Sequence, residues 1–347
     1  MNEAEDPREV SHHPRRRFLL VGHEAAERKL KDAYTSGRLH SAWLLGGPRG
    51  IGKATLAYRF ARFLLTRPDD KSLAGPGIEV APDHPVARRI AAGSHPDLLR
   101  IERAFIQKTG RIQPETSAEV ARTVPRFFAH TAGEGGWRVC IIDTADDLNE
   151  VSANVLLKTL EEPPPQSLII LLSHAPGRLL GTIRSRCVKI GLAPLDKNQV
   201  INVLRSIPNV AAPLADIELA AELSRGSPGR ALELLESGAS RLFAMFRDLL
   251  AQLPGIDMRR ALALADQLQA RRNEDAFDIF CELLTDWVAE RARQDALEGG
   301  KATARWAAAH GELGLSIAQT NALNLDRRQF VVHAFETLRD AAGHALD

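Results

Sequence analysis

One short glycine-rich run constrains the fold of this chain more than any other feature: Gly47-Pro48-Arg49-Gly50-Ile51-Gly52-Lys53. An apolar run that predicts a buried strand precedes it, and a helical apolar pattern follows it. In that context G-x-x-x-x-G-K predicts a phosphate-binding loop, because glycines let the backbone turn its N–H groups and the helix N-terminus toward phosphate oxygens. The alternative is an ordinary glycine-rich turn. On the first interpretation, Gly47, Gly50, Gly52 and Lys53 contact the phosphates of a nucleotide.

The residues that follow this loop are unsuited to placing a metal ion. A Ser or Thr normally comes directly after the lysine, because its hydroxyl coordinates the Mg²⁺ that bridges the outer phosphates. Here that residue is Ala54. Thr55 comes one position later and would point about 100° away on a helix, so we do not expect it to replace the missing hydroxyl. We therefore expect the loop to keep its ability to bind phosphate while its placement of Mg²⁺ is impaired.

A second acidic element is predicted at Asp143, where the consecutive apolar residues of a strand buried on both faces come to an end. Its carboxylate would emerge at the edge of a parallel sheet near the loop. In hydrolysing proteins a glutamate follows and activates water, whereas Thr144 stands here and is too weak a base. Asp146 and Asp147 are alternative bases, although helix capping or surface roles are favoured for both.

Between residues 18 and 192, short apolar runs alternate with helical patterns, which predicts a parallel sheet covered by helices. After Pro194 only helical patterns remain, and they predict a small helical lid over 193–239 and a separate helical domain over 240–347. The fold class is therefore α/β plus all-α. The predicted strands are Ala42–Gly46, Leu98–Ile101, Arg138–Asp143, Leu168–Leu172 and Val188–Ile190.

Residues 1–17 are polar and carry Pro7, Pro14 and a cluster of three arginines, which predicts a disordered tail or, alternatively, a nucleic-acid-binding arm. The segment between Pro68 and Pro85 lacks an apolar period and predicts a loop or insertion.

Charge and cysteine content exclude several classes of function. The chain has 45 Lys plus Arg against 44 Asp plus Glu, so no overall field draws it to DNA or to a membrane surface. Its three cysteines, Cys140, Cys187 and Cys281, are far apart and form no CxxC pair, so we expect neither zinc nor a disulfide framework. The sequence contains no apolar run of transmembrane length and does not begin with a secretory signal, which indicates a cytoplasmic location.

Two runs carry a resemblance to a known family: RLHSAWLLGGPRGIGKATLA at 38–57 and SANVLLKTLEEPPP at 152–165. Together they resemble the bacterial DNA polymerase III clamp-loader family, whose members have AAA+ P-loop domains and pack through a C-terminal helical collar. The second run predicts a helix from about Val151 to Glu162 that Pro163 terminates. The resemblance names ATP or ADP as the nucleotide for the loop but leaves open whether this chain binds one. The implied partners are delta and tau or gamma subunits in a hetero-oligomeric ring and, through that ring, the sliding clamp and primer-template DNA.

Further residues receive roles from the resemblance alone. Ser173 stands at the family's polar sensor near the γ-phosphate, and Arg186 stands in its Ser-Arg-Cys motif, whose arginine reaches ATP bound by a neighbouring subunit. Salt bridging at the surface is the alternative for Arg186. Gly229 occupies the place of the family's second sensor arginine, and Arg230 beside it is a secondary candidate.

Two remaining features bear on the family's modules. Many members carry a four-cysteine zinc site after the loop helix, which residues 66–95 lack. The run from Leu323 to Val331 resembles the start of the collar's last helix, although it also fits an ordinary helix start. The resemblance implies a subunit that does not hydrolyse ATP but supplies Arg186 in trans. The alternative is a catalytically active ATPase of the tau or gamma type.

Overall fold

The computed structural model describes residues 12–67, 77–108, 111–134, 136–208, 210–269 and 274–343. The described chain divides into two compact units. The first contains residues up to Val210 together with Arg225–Gly229, and the second contains Ala211–Ser224 and the residues from Arg230 onward. This division differs from the expected lid at 193–239, because the helix after Asp196 groups with the sheet.

The described strands are β1 (Ala42–Gly46), β2 (Leu98–Ile101), β3 (Phe105–Ile106), β4 (Arg111–Ile112), β5 (Arg138–Ile142), β6 (Ser167–Ser173) and β7 (Val188–Gly191). Five of them form a parallel sheet in the order β2-β5-β6-β1-β7. The five strands expected from the sequence are confirmed to within one residue at either end. The antiparallel pair β3–β4 was not expected, because two-residue strands carry no periodicity.

The first unit contains helices α1 (Glu24–Thr35), α2 (Lys53–Leu65), α3 (Pro85–Ala92), α4 (Ala118–Ala121), α5 (Thr123–Ala129), α6 (Glu150–Glu161), α7 (Gly181–Ser185) and α8 (Lys197–Arg205). Alternate residues of β1, β5 and β6 enter two different apolar cores. Trp43 and Leu45 of β1 pack with α2, whereas Leu44 packs with α6. The sheet is therefore covered on both faces, as the consecutive apolar residues of its strands predict.

The last part of the expected N-terminal tail is ordered. Residues Pro14–Arg16 form a 3₁₀ helix, and the Arg15 side chain is buried and donates to the Ala91 carbonyl. Arg17 donates to Ser206, at the end of α8. The expectation of disorder is therefore wrong for residues 12–17, because these arginines bind backbone carbonyls of the domain. The remainder of the expected tail, 1–11, and residues 68–76 of the expected insertion lie outside the described residues.

The helices after Pro194 continue with α9 (Leu214–Leu223), α10 (Pro228–Glu236), α11 (Ser240–Leu250), α12 (Met258–Leu268), α13 (Glu274–Leu297), α14 (Thr303–Leu323) and α15 (Arg327–Gly343). Aromatic rings form the core of the second unit, where Phe246 contacts both Phe280 and Phe335. Phe330, inside the run that resembles the collar, is buried against Phe277. No described helix is both long enough and apolar enough to span a membrane.

Candidate functional site

The glycine-rich loop between β1 and α2 adopts a backbone that requires its glycines. Gly47, Gly50 and Gly52 have φ values of 149°, 75° and 107°, in the region that side chains disfavour. A Cβ atom on Gly47 would also lie 2.5 Å from the Leu192 carbonyl oxygen, so no larger residue fits there. The backbone of the loop thus needs glycine at these three positions, and α2 begins directly after Gly52.

Lys53 is the first residue of α2 and is only 4% exposed. Its ammonium donates to the carbonyl oxygens of Gly47 at 2.7 Å and Pro48 at 2.6 Å. Burial lowers the pKa of Lys53 to about 8, although the negative charges of Asp143 and Asp146 oppose this shift. The loop thus holds a buried cation between its own carbonyls and two carboxylates.

We expect the lowered pKa of Lys53 to appear in the pH dependence of stability. An unfolded lysine keeps its proton to a pH of about 10.4, so between the two pKa values the unfolded state binds more protons and stability rises with pH. The difference in free energy of unfolding between the wild type and Lys53→Met should increase by about 3 kcal/mol from pH 7 to pH 10.5. Urea unfolding across this range measures it. A constant difference would contradict the assignment, since the carbonyls that Met leaves unbonded cost the same at every pH.

Ala54 and Thr144 are the two residues expected to impair hydrolysis, and neither has a side chain that could restore it. Ala54 is half-buried and packs against the apolar core beside α2, and Thr55 is half-buried on the next position of the helix. Thr144 is only 8% exposed, and its hydroxyl has no hydrogen-bond partner among the described residues. None of these three side chains supplies a carboxylate able to activate water.

Asp146 connects the end of β5 to the end of β6. Its carboxylate accepts from the Ser173 hydroxyl at 2.8 Å, from the His174 backbone N–H at 2.6 Å and from the Ala175 N–H at 3.3 Å. Ser173 is fully buried, and its hydroxyl donates to this carboxylate. Asp146 therefore has a structural role that differs from the helix capping or surface role favoured from the sequence. Its carboxylate holds the Ser173 hydroxyl, the group expected to act as the polar sensor.

Asp147 also has a structural position, because its carboxylate lies 3.1 Å from Nε of Arg103.

The segment that should carry a second sensor arginine lies directly on the glycine-rich loop. The Gly229 N–H donates to the Gly50 carbonyl at 2.9 Å, and the Ser227 hydroxyl donates to the Arg49 carbonyl at 2.8 Å. A Cβ atom on Gly229 would approach the Gly50 Cα to 2.8 Å. Any side chain at 229 would push this segment away from the loop, which gives a physical reason for glycine at this position.

Arg230, the secondary candidate beside it, bonds elsewhere. Its guanidinium forms ion pairs with Asp286 and Glu282 of α13. These two ion pairs hold the Arg230 side chain against a helix of the second unit.

Arg186 directly follows α7 and is partly exposed. It donates to the Thr182 carbonyl at 2.9 Å and to the Glu161 carboxylate, at the end of α6, at 2.5 Å. The sequence left two interpretations of Arg186, a salt-bridged arginine and an arginine presented to a neighbouring subunit. Arg186 forms the salt bridge, and a third of its side chain remains exposed.

Sequence reasoning missed two contacts of this region. His23 is buried, and its Nε2 lies 2.7 Å from the Ile51 carbonyl oxygen of the loop. A lone histidine far from any motif gives no signal of such a contact. Glu161 was noticed only as part of a helix, although its place at the end of the KTLEEPP run was available as a signal.

Comparison with known proteins agrees with this geometry. The family described as "DNA polymerase III, delta subunit" matches residues 22–196, just over half of the chain. The delta' subunit of DNA polymerase III from Pseudomonas aeruginosa is 36% identical over 199 residues, which cover 57% of this chain and 56% of that protein. The tau subunit from Escherichia coli is 30% identical over 266 residues, covering 74% of this chain and 38% of that protein.

The chain thus spans about half the length, or less, of these curated relatives. Among solved structures, a gamma subunit-related protein from Thermotoga maritima aligns over 92% of this chain and 99% of its own, at 15% identity and a TM-score of 0.39. The fold follows from the strand order and the family match. From the match of that family over residues 22–196, the chain belongs to the clamp-loader family of DNA polymerase III.

Proposed function

We propose that this chain is the delta prime subunit of the clamp loader, that it does not hydrolyse ATP itself, and that it supplies Arg186 to ATP bound by a neighbouring subunit. One observation carries the proposal: the phosphate-binding loop keeps its conformation, while Ala54, Thr144 and Gly229 stand where hydrolysis needs a hydroxyl, a base and an arginine. Together with a partly exposed Ser-Arg-Cys arginine elsewhere on the same unit, a loop in that condition fits a subunit that acts on its neighbour's nucleotide.

The expected magnitudes favour this assignment. An arginine that stabilises a phosphoryl-transfer transition state is worth on the order of 10³ to 10⁵ in rate, or about 4 to 7 kcal/mol. At its own loop the chain lacks the second sensor arginine, the hydroxyl that binds Mg²⁺ and the general base, so its intrinsic hydrolysis should be negligible. Arg186 has the planar fork of donors that suits charge spread over phosphate oxygens.

The proposal includes the partners and nucleotide that the resemblance implies. Delta and tau or gamma subunits would complete the ring, which would engage the sliding clamp and primer-template DNA in the cytoplasm. If ATP or ADP binds to this chain, the N–H groups of the glycine-rich loop and Lys53 are the groups that would hold its phosphates.

A catalytically active tau- or gamma-type ATPase is the second candidate. Its support is the longer alignment with the tau subunit, which covers 74% of this chain. Ala54 and Thr144 oppose it, because neither side chain can perform the hydrolytic role of its position.

Two measurements test the proposal. The purified chain should show no ATP turnover above background, with or without DNA, whereas the tau-type candidate requires rapid turnover. Mixed with delta and gamma subunits, the chain should elute with them as one complex and be needed for clamp-stimulated ATPase. Brisk turnover by the chain alone, or failure to join the complex, would exclude the proposed role.

A further inference from the structure

The orientation of Arg186 is set by two acceptors on different helices. The Thr182 carbonyl belongs to α7, and the Glu161 carboxylate lies on the last residue of α6. Each acceptor takes a hydrogen from a different terminal nitrogen of the guanidinium. The plane of the guanidinium is therefore fixed by two bonds rather than by the side chain's own rotamers.

The two bonds leave capacity for a third acceptor. A guanidinium has five N–H donors in a rigid fork, so two intramolecular bonds leave three for an anion. An unrestrained arginine loses rotamer freedom when it becomes fixed on a ligand. An arginine already held by Thr182 and Glu161 has lost part of that freedom before it meets a ligand.

Helix stability does not explain why a carboxylate stands at 161. The C-terminal end of a helix carries a partial negative charge, so a glutamate on the last residue of α6 is electrostatically unfavourable. The Glu161 side chain is 48% exposed and that of Arg186 33% exposed, and ion pairs this exposed contribute little or nothing to stability. Any large effect of Glu161 must therefore arise elsewhere.

We infer that Glu161 is a positioning residue for Arg186: it orients the guanidinium so that the remaining donors face the phosphates of ATP bound to the adjacent subunit. This inference rests on the proposed function, because it requires Arg186 to act in trans. Glu161 does not touch the nucleotide and acts only through Arg186.

The test uses the reconstituted loader with clamp and primed DNA, and measures kcat and KM for ATP. Arg186-dependent turnover is defined as the difference between the wild type and Arg186→Ala. Glu161→Ala should lower this turnover up to about tenfold, the equivalent of roughly 1.4 kcal/mol of lost orientation, with KM unchanged. Glu161→Gln retains an acceptor oxygen and should keep most of the turnover. Glu162→Ala removes the next, also exposed, carboxylate and should match the wild type.

Two further readouts separate positioning from a structural role. The melting temperature of Glu161→Ala should equal or exceed that of the wild type, because an unfavourable helix-end charge is removed. In an Arg186→Ala background, Glu161→Ala should have no additional effect, since its action passes through the arginine.

The outcomes distinguish the inference from the function beneath it. If Arg186→Ala leaves turnover unchanged, the trans role itself fails, and the positioning role fails with it. If Arg186→Ala reduces turnover while Glu161→Ala does not, or while Glu161→Ala raises it, only the positioning role is overturned. An equal loss in Glu162→Ala would also overturn it, because the effect would then follow general surface charge.

Discussion

Replacing Arg186 with alanine should lower ATP turnover at the neighbouring site of the assembled loader by about 10³-fold or more, while the variant still enters the complex. The side chain is a third exposed and bonds to Thr182 and Glu161 at the surface, so its removal leaves the apolar core intact. The loss follows because the transition state spreads negative charge over phosphate oxygens, which the planar fork of donors of a guanidinium matches. Single-turnover hydrolysis, with DNA and clamp present, measures the effect at that site.

Two variants control this experiment. Arg184→Ala removes the same charge two residues away on α7 and should leave turnover within about twofold of the wild type. Arg186→Lys keeps the charge but replaces the planar fork with a point charge, and should recover only a small part of the activity. Wild-type turnover in Arg186→Ala would remove this residue from the proposed mechanism.

Replacing Arg62 with alanine should destabilise the first unit by about 2–4 kcal/mol. Arg62 lies in α2, is 1% exposed, and donates to the Arg17 carbonyl at 2.9 Å and to the Arg15 carbonyl at 2.6 Å. Its guanidinium also lies 4.2 Å from the centre of the Phe18 ring. Alanine would remove all three contacts and leave two backbone carbonyls without their donor.

Urea unfolding measures the loss, and limited trypsin digestion locates it. Cleavage after Arg15 and Arg17 should accelerate in Arg62→Ala, because the segment that Arg62 holds would detach from α2. Arg67→Ala, at the exposed position beyond the end of the same helix, should change stability by less than about 0.5 kcal/mol. Unaltered cleavage at Arg15 and Arg17 would show that Arg62 does not anchor the segment.

The sequence predicted the sheet well because its strands are buried on both faces. In β5 and β6 every residue is buried, and such runs remain visible without any alternation. The segment at 12–17 was mispredicted for the opposite reason. Its arginines look solvated in sequence, and their order depends on carbonyls and a serine that lie far along the chain, such as those of Ala91 and Ser206.

Within the candidate site, residues in a local motif were predictable, whereas pairwise contacts were not. The loop glycines and Lys53 lie where G-x-x-x-x-G-K places them, because that motif fixes a local backbone. The contact of Gly229 with Gly50 and the pairing of Arg230 in the second unit depend on tertiary packing, which single-sequence patterns do not encode.

The sheet order has a consequence for synthesis on the ribosome. β1 lies between β6 and β7, so the first strand to emerge must wait for the last strand before both of its edges are paired. The bond between Arg17 and Ser206 joins positions 189 apart, a length that takes roughly 10 to 40 s to translate at bacterial rates. Until β6 and β7 have emerged, the nascent chain also exposes the apolar strand β1 with open edges, so the sheet order prolongs the stage at which the chain can pair wrongly.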